Sequence, residues 1–196
     1  MTDRSNGYEG VAPEFLVGRG VAPSNGIGTR AVRAWARELP RGATVIDLGC
    51  GTGRPITGVL LEEGLDIYAL DAAPSLVEAF RRNFPHLPVV CEAVEDSRFF
   101  ERKFDGVVSW GLMFLLSVEE QRRLIGKIAG ILRPRGRLLF TSEREPMVWK
   151  DAMTGLESRS LGSAEYRRLL STAGFSTIRE YEDQENYYFE ASKTRV

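Results

Sequence analysis

The sequence predicts an α/β fold with a mostly parallel sheet and helices on both of its faces. From residue 43 onward, short apolar runs rich in β-branched residues alternate with segments of helical period. The first run ends in a glycine-rich turn at residues 49–53. Residues 182–185 separate the last two predicted strands, and a connection this short permits only an antiparallel pair. These three observations together define the predicted fold class.

The individual elements follow from periodicity and from turn residues. Residues 1–28 are rich in glycine and polar residues, and we predict an arm or lid there with room for one short helix. Residues 29–196 are predicted to form a single domain, since a chain of this length accommodates one α/β domain. Strands are predicted at 43–48, 66–70, 87–91, 104–110, 137–141, 175–181 and 186–192, and helices at 29–39, 54–64, 74–84 and 117–132.

Three local signals organise the later half of the chain. Ser117 and Glu120 have the spacing of a capping box at a helix N-terminus. Residues 133–136 are predicted to form a turn, and Ser163 is predicted to cap a helix that Gly174 ends. Residues 142–162 have no clear period, so we predict a long loop, and such loops in compact domains are often functional.

Charge and composition indicate which partners and compartments to expect. The chain has 26 basic and 27 acidic residues, and this balance argues against a nucleic-acid partner. Its two cysteines, Cys50 and Cys91, form no C-x-x-C pattern, so no metal site is expected. The polar N-terminus and the lack of a long apolar run predict no signal peptide and no membrane span. A cytoplasmic monomer or homodimer is therefore expected.

The glycine-rich turn after the first strand is the strongest functional signal. Gly49, Gly51 and Gly53 alternate between a buried strand and a predicted helix. Glycine allows tight turns and close approach of a ligand to the main chain, and the helix N-terminus offers free amides. The dinucleotide fingerprint G-x-G-x-x-G would need a glycine where Arg54 stands, and no G-K-[ST] of a P-loop follows. The spacing therefore suits a different ligand.

The run VIDLGCGTG resembles the first motif of the class I S-adenosylmethionine-dependent methyltransferases, and the resemblance extends over residues 43–174. It implies a Rossmann-like seven-stranded mostly parallel sheet with an antiparallel last strand. S-adenosylmethionine is then the cofactor and S-adenosylhomocysteine the product. The resemblance also implies that the glycine turn, including Cys50, packs against the methionine part of the cofactor. Asp47 is expected to help fix the cofactor's amino group.

Residues after the second, third and fourth strands complete the expected cofactor site. Asp71 is placed to accept hydrogen bonds from ribose hydroxyls, although an acid here also fits a nicotinamide enzyme or a helix cap. The resemblance implies that Ala72 packs near the adenine. It also implies that the segment after strand three, with Ala93, Val94 and either Glu92 or Glu95, reads the adenine amino group; a solvated acidic loop is the alternative. Trp110 is expected to cover the adenine or the sulfonium, unless it is a core residue.

The substrate is expected to be a small molecule held between the arm and the segment after strand five. No catalytic residue stands out, and His86 is expected to lie on a surface connector. Two alternatives remain open, namely a non-catalytic protein that binds the same cofactor and a nicotinamide oxidoreductase. The candidate substrate residues are Tyr8, Phe15, Arg19, Trp149 and Asp151.

Overall fold

A computed structural model of the chain describes residues 3–18, 26–183 and 185–194. It contains a seven-stranded sheet, a separate two-stranded sheet and six α-helices within these residues. The strands are β1 Thr44–Leu48, β2 Asp66–Asp71, β3 Val89–Cys91, β4 Phe104–Ser109, β5 Leu132–Ser142, β6 Met147–Lys150, β7 Glu157–Ser160, β8 Phe175–Glu182 and β9 Tyr187–Lys193. The helices are α1 Ala12–Val17, α2 Thr29–Ala36, α3 Ile56–Glu62, α4 Pro74–Asn83, α5 Val118–Ile131 and α6 Gly162–Thr172.

The large sheet has the strand order β3-β2-β1-β4-β5-β9-β8. Neighbouring strands from β3 to β5 are parallel, whereas β9 runs antiparallel to both β5 and β8. The predicted seven-stranded sheet and its antiparallel last strand are confirmed. The order of connection reverses between β1 and β4, and ligands of such sheets bind outside the carboxyl ends of the strands at that point.

Helices cover both faces of the sheet because successive residues of its central strands point to opposite sides. All five residues of β1 are buried. Ile46 belongs to the hydrophobic cluster formed with α5 and α6, whereas its neighbour Val45 belongs to the cluster formed with α2 and α3. The central strands are thereby packed on both faces, and their carboxyl ends lie together at one edge of the sheet.

Two predicted features of the later half are confirmed. Ser117 and Glu120 form the reciprocal capping box at the start of α5: the Ser117 Oγ accepts from the Glu120 amide at 3.3 Å, and the Glu120 carboxylate accepts from the Ser117 amide at 2.9 Å. Helix α6 is followed by Gly174 in the left-handed region at a φ of 88°.

Two other predictions in this half are wrong. The segment 133–136 is the first part of β5, where a register irregularity opposite β4 and a positive φ at Arg135 absorb the turn-forming residues. Ser163 does not cap α6, because the helix already begins at Gly162 and its N-cap Leu161 makes no side-chain cap. The Ser163 hydroxyl instead donates to Glu180 at 2.6 Å.

The segment 142–162, predicted to be a loop, contains an antiparallel hairpin. Strand β6 pairs with β7, and Trp149 lies opposite Ser158. The connection is closed by Asp151, whose Oδ1 accepts hydrogen bonds from the backbone amides of Met153 and Thr154 at 3.0 and 2.8 Å. Strands of four residues are too short to show a period of two clearly, so the sequence pattern did not reveal them.

No helix within the described residues is both long enough and apolar enough to cross a bilayer.

Candidate active site

A cavity opens at the carboxyl ends of β1, β2 and β4, where the reversal in strand order predicts a ligand. It holds about 1170 Å³ of space when the open solvent at its mouth is counted. Its walls come from the described part of the arm (residues 3–18), from the glycine turn and from the segments after β2, β3 and β4. The predicted residues that line it are Asp47, Gly49, Cys50, Gly51, Asp71, Ala72, Val94, Glu95, Trp110, Tyr8 and Phe15.

The three alternate glycines of the turn all have positive φ angles, between 54° and 79°. A Cβ on Gly49 would lie 2.9 Å from Leu112, and one on Gly53 would lie 2.4 Å from Phe84. These two glycines therefore allow close packing against the protein itself. A Cβ on Gly51 would lie 3.5 Å from the Phe15 ring, which lines the cavity. Gly51 is the one of the three whose added Cβ would meet the arm, and both Gly49 and Gly51 line the cavity.

Asp71, at the end of β2, is hydrogen-bonded to the glycine turn. Its Oδ2 accepts from the Gly51 amide at 2.8 Å, and its Oδ1 accepts from the Ala73 amide at 2.9 Å. Burial raises the pKa of the Asp71 carboxyl, and these backbone hydrogen bonds oppose that rise. The carboxylate therefore braces the turn and the start of α4, and it also lines the cavity.

Asp47 lies beneath the glycine turn and is almost fully buried. Its Oδ2 accepts a hydrogen bond from the Thr57 hydroxyl at 2.7 Å. Burial raises the pKa of Asp47 to about 7, against the lowering effect of Thr57, and the nearby Asp71 raises it further. A buried carboxylate with so raised a pKa favours a cation beside it, because a positive charge would offset the desolvation.

The segment after β3, here called the β3 loop (residues 92–97), forms the opposite wall. Glu92, Val94 and Glu95 line the cavity, while Ala93 is buried and does not line it. The Ser97 hydroxyl donates a hydrogen bond to the Glu92 carboxylate. Both acidic candidates from the sequence therefore face the same space, and backbone atoms of the loop lie between them.

The arm crosses the cavity and is attached on both sides. Arg4 forms an ion pair with Asp96 at 3.1 Å. The Glu9 carboxylate accepts hydrogen bonds from the backbone amide and hydroxyl of Ser75 at 3.0 and 2.7 Å, near the start of α4. On the opposite side, the Tyr8 hydroxyl donates to Asp151 of the hairpin at 3.3 Å.

Some predicted site residues lie away from the cavity. Gly53 packs against Phe84 and does not line the cavity. Trp149 packs against Phe114, with ring centroids 5.5 Å apart, and Asp151 closes the hairpin turn. Arg19 lies outside the residues that the structure describes.

Trp110 combines the two roles that the sequence leaves open, a cover for the ligand and a core residue. It lines the cavity, and it also packs against the hydrophobic cluster of α2 and α3. The backbone of Gly28 lies directly against its indole, since a Cβ there would be 2.5 Å from Nε1. Trp110 is therefore held in place by the start of α2 while part of it faces the ligand space.

Sequence reasoning missed an apolar part of the cavity wall. The segment after β4 turns through a short 3-10 helix, Met113–Leu115, which brings leucine side chains to the mouth beside Trp110. These leucines come directly after a parallel strand, and that position in the sequence could have indicated that they line the site. From the arm, Asn6 lines the cavity and has a buried side-chain nitrogen with no hydrogen-bond partner. The missed lining residues are Arg4, Ser5, Asn6, Ile27, Arg54, Pro55, Ile56, Leu70, Leu76, Gly111, Leu112, Leu115 and Leu116.

Among the described residues, no group of three or more His, Cys, Asp or Glu side chains is placed to hold a metal ion.

Comparison with known proteins gives the same picture. Residues 45–136 match the family described as a methyltransferase domain. The chain is 27% identical over 150 residues to an uncharacterized methyltransferase of Mycobacterium tuberculosis; the match covers 74% of this chain and 58% of that protein's length. The chain thus spans little more than half of this curated relative.

Two solved structures illustrate the likeness of fold. Magnesium protoporphyrin IX methyltransferase from Synechocystis, with bound S-adenosylmethionine, aligns with a TM-score of 0.73 at 15% identity, covering 99% of this chain and 98% of that one. The 1,6-didemethyltoxoflavin-N1-methyltransferase of Burkholderia thailandensis, with bound 1,6-didemethyltoxoflavin and S-adenosylhomocysteine, aligns with a TM-score of 0.70 at 22% identity. That match covers 95% of this chain and 84% of the other.

Proposed function

We propose that the chain is a class I S-adenosylmethionine-dependent methyltransferase, which transfers a methyl group from S-adenosylmethionine to a small-molecule acceptor. One observation carries the proposal. The bare backbone at Gly51 and the carboxylate of Asp71 are joined by a hydrogen bond and line the same cavity. This pairing lets a nucleoside approach the main chain closely and places a hydrogen-bond acceptor for it beside that backbone.

The residues present fit this cofactor. Asp47 would hold the ammonium group of its methionine part, since a cation offsets the desolvation of the buried carboxylate. Asp71 would accept from the ribose hydroxyls while it still braces the turn, because each carboxylate oxygen can accept more than one hydrogen bond. The β3 loop would contact the adenine. When bound, the cofactor supplies an electrophilic methyl group that passes to a nucleophilic acceptor atom and leaves S-adenosylhomocysteine.

The acceptor would lie near the end of β4, where the wall is apolar. Ile27, Ile56 and Trp110 line this part together with the leucines that follow β4. Such a wall favours a compact apolar or aromatic acceptor and keeps water from the reacting atoms. Positioning the acceptor in line at near-attack distance can supply roughly 7–11 kcal/mol of the barrier reduction in the best cases, so no acid–base residue is required for a nucleophile that is already unprotonated.

The arm would close the site over the bound cofactor. Its contacts to the β3 loop, to the start of α4 and to the hairpin lie around the rim of the cavity. A closed arm excludes water, which strengthens the electrostatic interactions inside the site. It also limits the room left for an acceptor, and this agrees with a small molecule better than with a folded partner.

A screen for methylated products tests the proposal. Purified protein is incubated with methyl-deuterated S-adenosylmethionine and a fractionated metabolite extract, and mass spectrometry follows the transfer of a CD₃ group. We expect a labelled product that forms only with the wild-type enzyme and is absent with the Asp71→Ala variant. Binding of S-adenosylhomocysteine without any labelled product would instead favour a non-catalytic cofactor-binding protein.

The nicotinamide alternative is tested by titration. The glycine spacing lacks the third glycine of the dinucleotide fingerprint, and Arg54 occupies its place. We therefore expect heat of binding with S-adenosylhomocysteine and none with NADH.

A further inference from the structure

Lys127 of α5 contacts the β3 loop with all three of its donors. Its Nζ lies 3.1 Å from the carbonyl oxygen of Val94, 2.8 Å from that of Glu95 and 2.9 Å from that of Ser97. An ammonium has three N–H donors and no acceptor, so these carbonyls use its full capacity. Its Nζ also lies 4.8 Å from the centroid of the Phe99 ring, within the range of a cation–π contact.

This arrangement fixes the orientation of the peptide groups in the loop. The carbonyl and amide of a trans peptide point in opposite directions. Because the Val94 carbonyl faces Lys127, the N–H of Glu95 points away from that lysine. Val94 and Glu95 both line the cavity, whereas Lys127 does not. The loop is folded back further by the amides of Asp96 and Ser97, which both donate to the Ala93 carbonyl at 3.1 Å.

Resting on the proposed function, we infer that Lys127 is a positioning residue for adenine recognition: it sets the conformation of the β3 loop without touching the cofactor. The ammonium gives these three carbonyls one charged hydrogen-bond partner, and hydrogen bonds to charged groups are stronger than neutral ones. The loop is then formed before the ligand arrives, so little ordering entropy is lost on binding. Its nearest acids are Glu92, Glu95 and Asp96, all on the same loop.

The test compares Lys127→Met with a matched lysine elsewhere. Lys193 at the end of β9 donates to the carbonyls of Ala129 and Leu132 at 2.5 and 3.0 Å, but neither it nor these carbonyls belong to the cavity. Calorimetry gives the Kd of adenosine and of S-adenosylhomocysteine for each variant. Lys127→Met is expected to raise the Kd of both ligands at least tenfold. Lys193→Met is expected to leave both Kd values within twofold of the wild type, even where the two variants lose similar thermal stability.

A third variant separates the two ends of the ligand. Asp47→Asn is expected to weaken the binding of S-adenosylhomocysteine while the Kd of adenosine stays within twofold of the wild type. The reason is that Asp47 is assigned only to the amino group of the ligand's methionine part, which adenosine lacks. Lys127→Met would therefore differ from it in weakening adenosine as well. The inference is overturned if Lys127→Met binds adenosine as tightly as the wild type, or if Lys193→Met weakens it equally.

Hydrogen exchange provides a readout that needs no ligand. The backbone amides of residues 93–97 are expected to exchange at least tenfold faster in Lys127→Met than in Lys193→Met; equal rates would overturn the inference. If Lys127→Met does not fold, Lys127→Gln, which keeps two N–H donors, replaces it in both measurements. A wild-type protein that binds no S-adenosylhomocysteine would refute the proposed function, whereas wild-type binding with unaffected Lys127 variants would refute this inference alone.

Discussion

The Oδ2 atom of Asp71 accepts a hydrogen bond of 2.8 Å from the backbone amide of Gly51. The bond joins the end of β2 to the turn after β1, the two features that the sequence singles out most clearly. It means that the carboxylate shapes the cavity and also offers acceptors within it. Changes at Asp71 should therefore affect folding and ligand binding together.

Replacement of Asp71 by alanine tests this double role. The variant leaves the amides of Gly51 and Ala73 without their partner, and hydrogen bonds to a charged group contribute about 1.5–3 kcal/mol each. We expect the free energy of unfolding to fall by about 1–3 kcal/mol and the Kd for S-adenosylhomocysteine to rise at least tenfold. Urea unfolding and calorimetry measure the two effects, and an unchanged Kd would contradict the proposed contact between Asp71 and the ribose.

Replacement of Asp47 by asparagine tests the buried carboxylate through pH. The pKa of Asp47 is raised from 3.8 to about 7, so the folded protein holds this proton more tightly than the unfolded chain. Stability is therefore lost as pH rises from about 4 to 7, and the full penalty remains above pH 7.

We expect Asp47→Asn to be more stable than the wild type at pH 8, by roughly 2–4 kcal/mol, and equally stable at pH 4. The same variant should bind S-adenosylhomocysteine more weakly at pH 8, because the ammonium loses its counter-charge. Denaturant titrations at the two pH values check the sign. An asparagine variant that is less stable at pH 8 would contradict the proposed burial penalty.

Alanine substitutions in the glycine turn separate packing from ligand access. Gly51→Ala should lower the free energy of unfolding by about 1–2 kcal/mol, because alanine is strained at this positive φ. Its added methyl group would lie next to Phe15 at the cavity and should weaken the binding of S-adenosylhomocysteine at least tenfold. Gly53→Ala would place a Cβ 2.4 Å from Phe84, and the overpacking should add about 1–3 kcal/mol.

Gly58 in α3 is the matched control for these glycines. A Cβ there would make an ordinary contact of 3.9 Å with Phe84, so Gly58→Ala should gain about 0.5–1 kcal/mol from helix propensity with unchanged affinity. Circular dichroism melts and calorimetry of the three variants give the comparison. A Gly51→Ala protein that binds normally would show that the ligand does not approach this backbone.

The arm is expected to retain the bound ligand. Glu9→Gln removes the charge that accepts from Ser75, and we expect the dissociation rate of S-adenosylhomocysteine to rise about three- to tenfold with a smaller change in the association rate. Glu14→Gln changes an exposed carboxylate on the same arm and should leave both rates unaltered. Stopped-flow tryptophan fluorescence measures the rates, since Trp110 lines the cavity. Equal dissociation rates for the two variants would argue against a lid.

The parts of the site that could be predicted from sequence are those formed by neighbouring residues. Asp47 through Gly53 are continuous in the chain, and Asp71 follows the next strand, so strand–turn–helix rules are sufficient to bring them together. The hairpin of β6 and β7 was missed because its strands are short, and the segment 133–136 was assigned to a turn because a bulged strand tolerates the same residues.

Contacts between distant segments could not be predicted in the same way. Arg4 meets Asp96, and Lys127 meets Val94 across 33 residues of sequence, through side chains that are unremarkable on their own helix or arm. Nothing in the local pattern distinguishes Lys127 from a solvated lysine. Its three carbonyl contacts can be seen only in the folded chain.

A crystal structure of the protein with S-adenosylhomocysteine tests the central claim most directly. We expect the ligand in the cavity between the glycine turn and the arm, with its ribose hydroxyls at the Asp71 carboxylate, its amino group near Asp47 and its adenine against the β3 loop. Electron density for the ligand elsewhere on the molecule, or a ligand-free cavity at saturating concentration, would contradict the proposed activity.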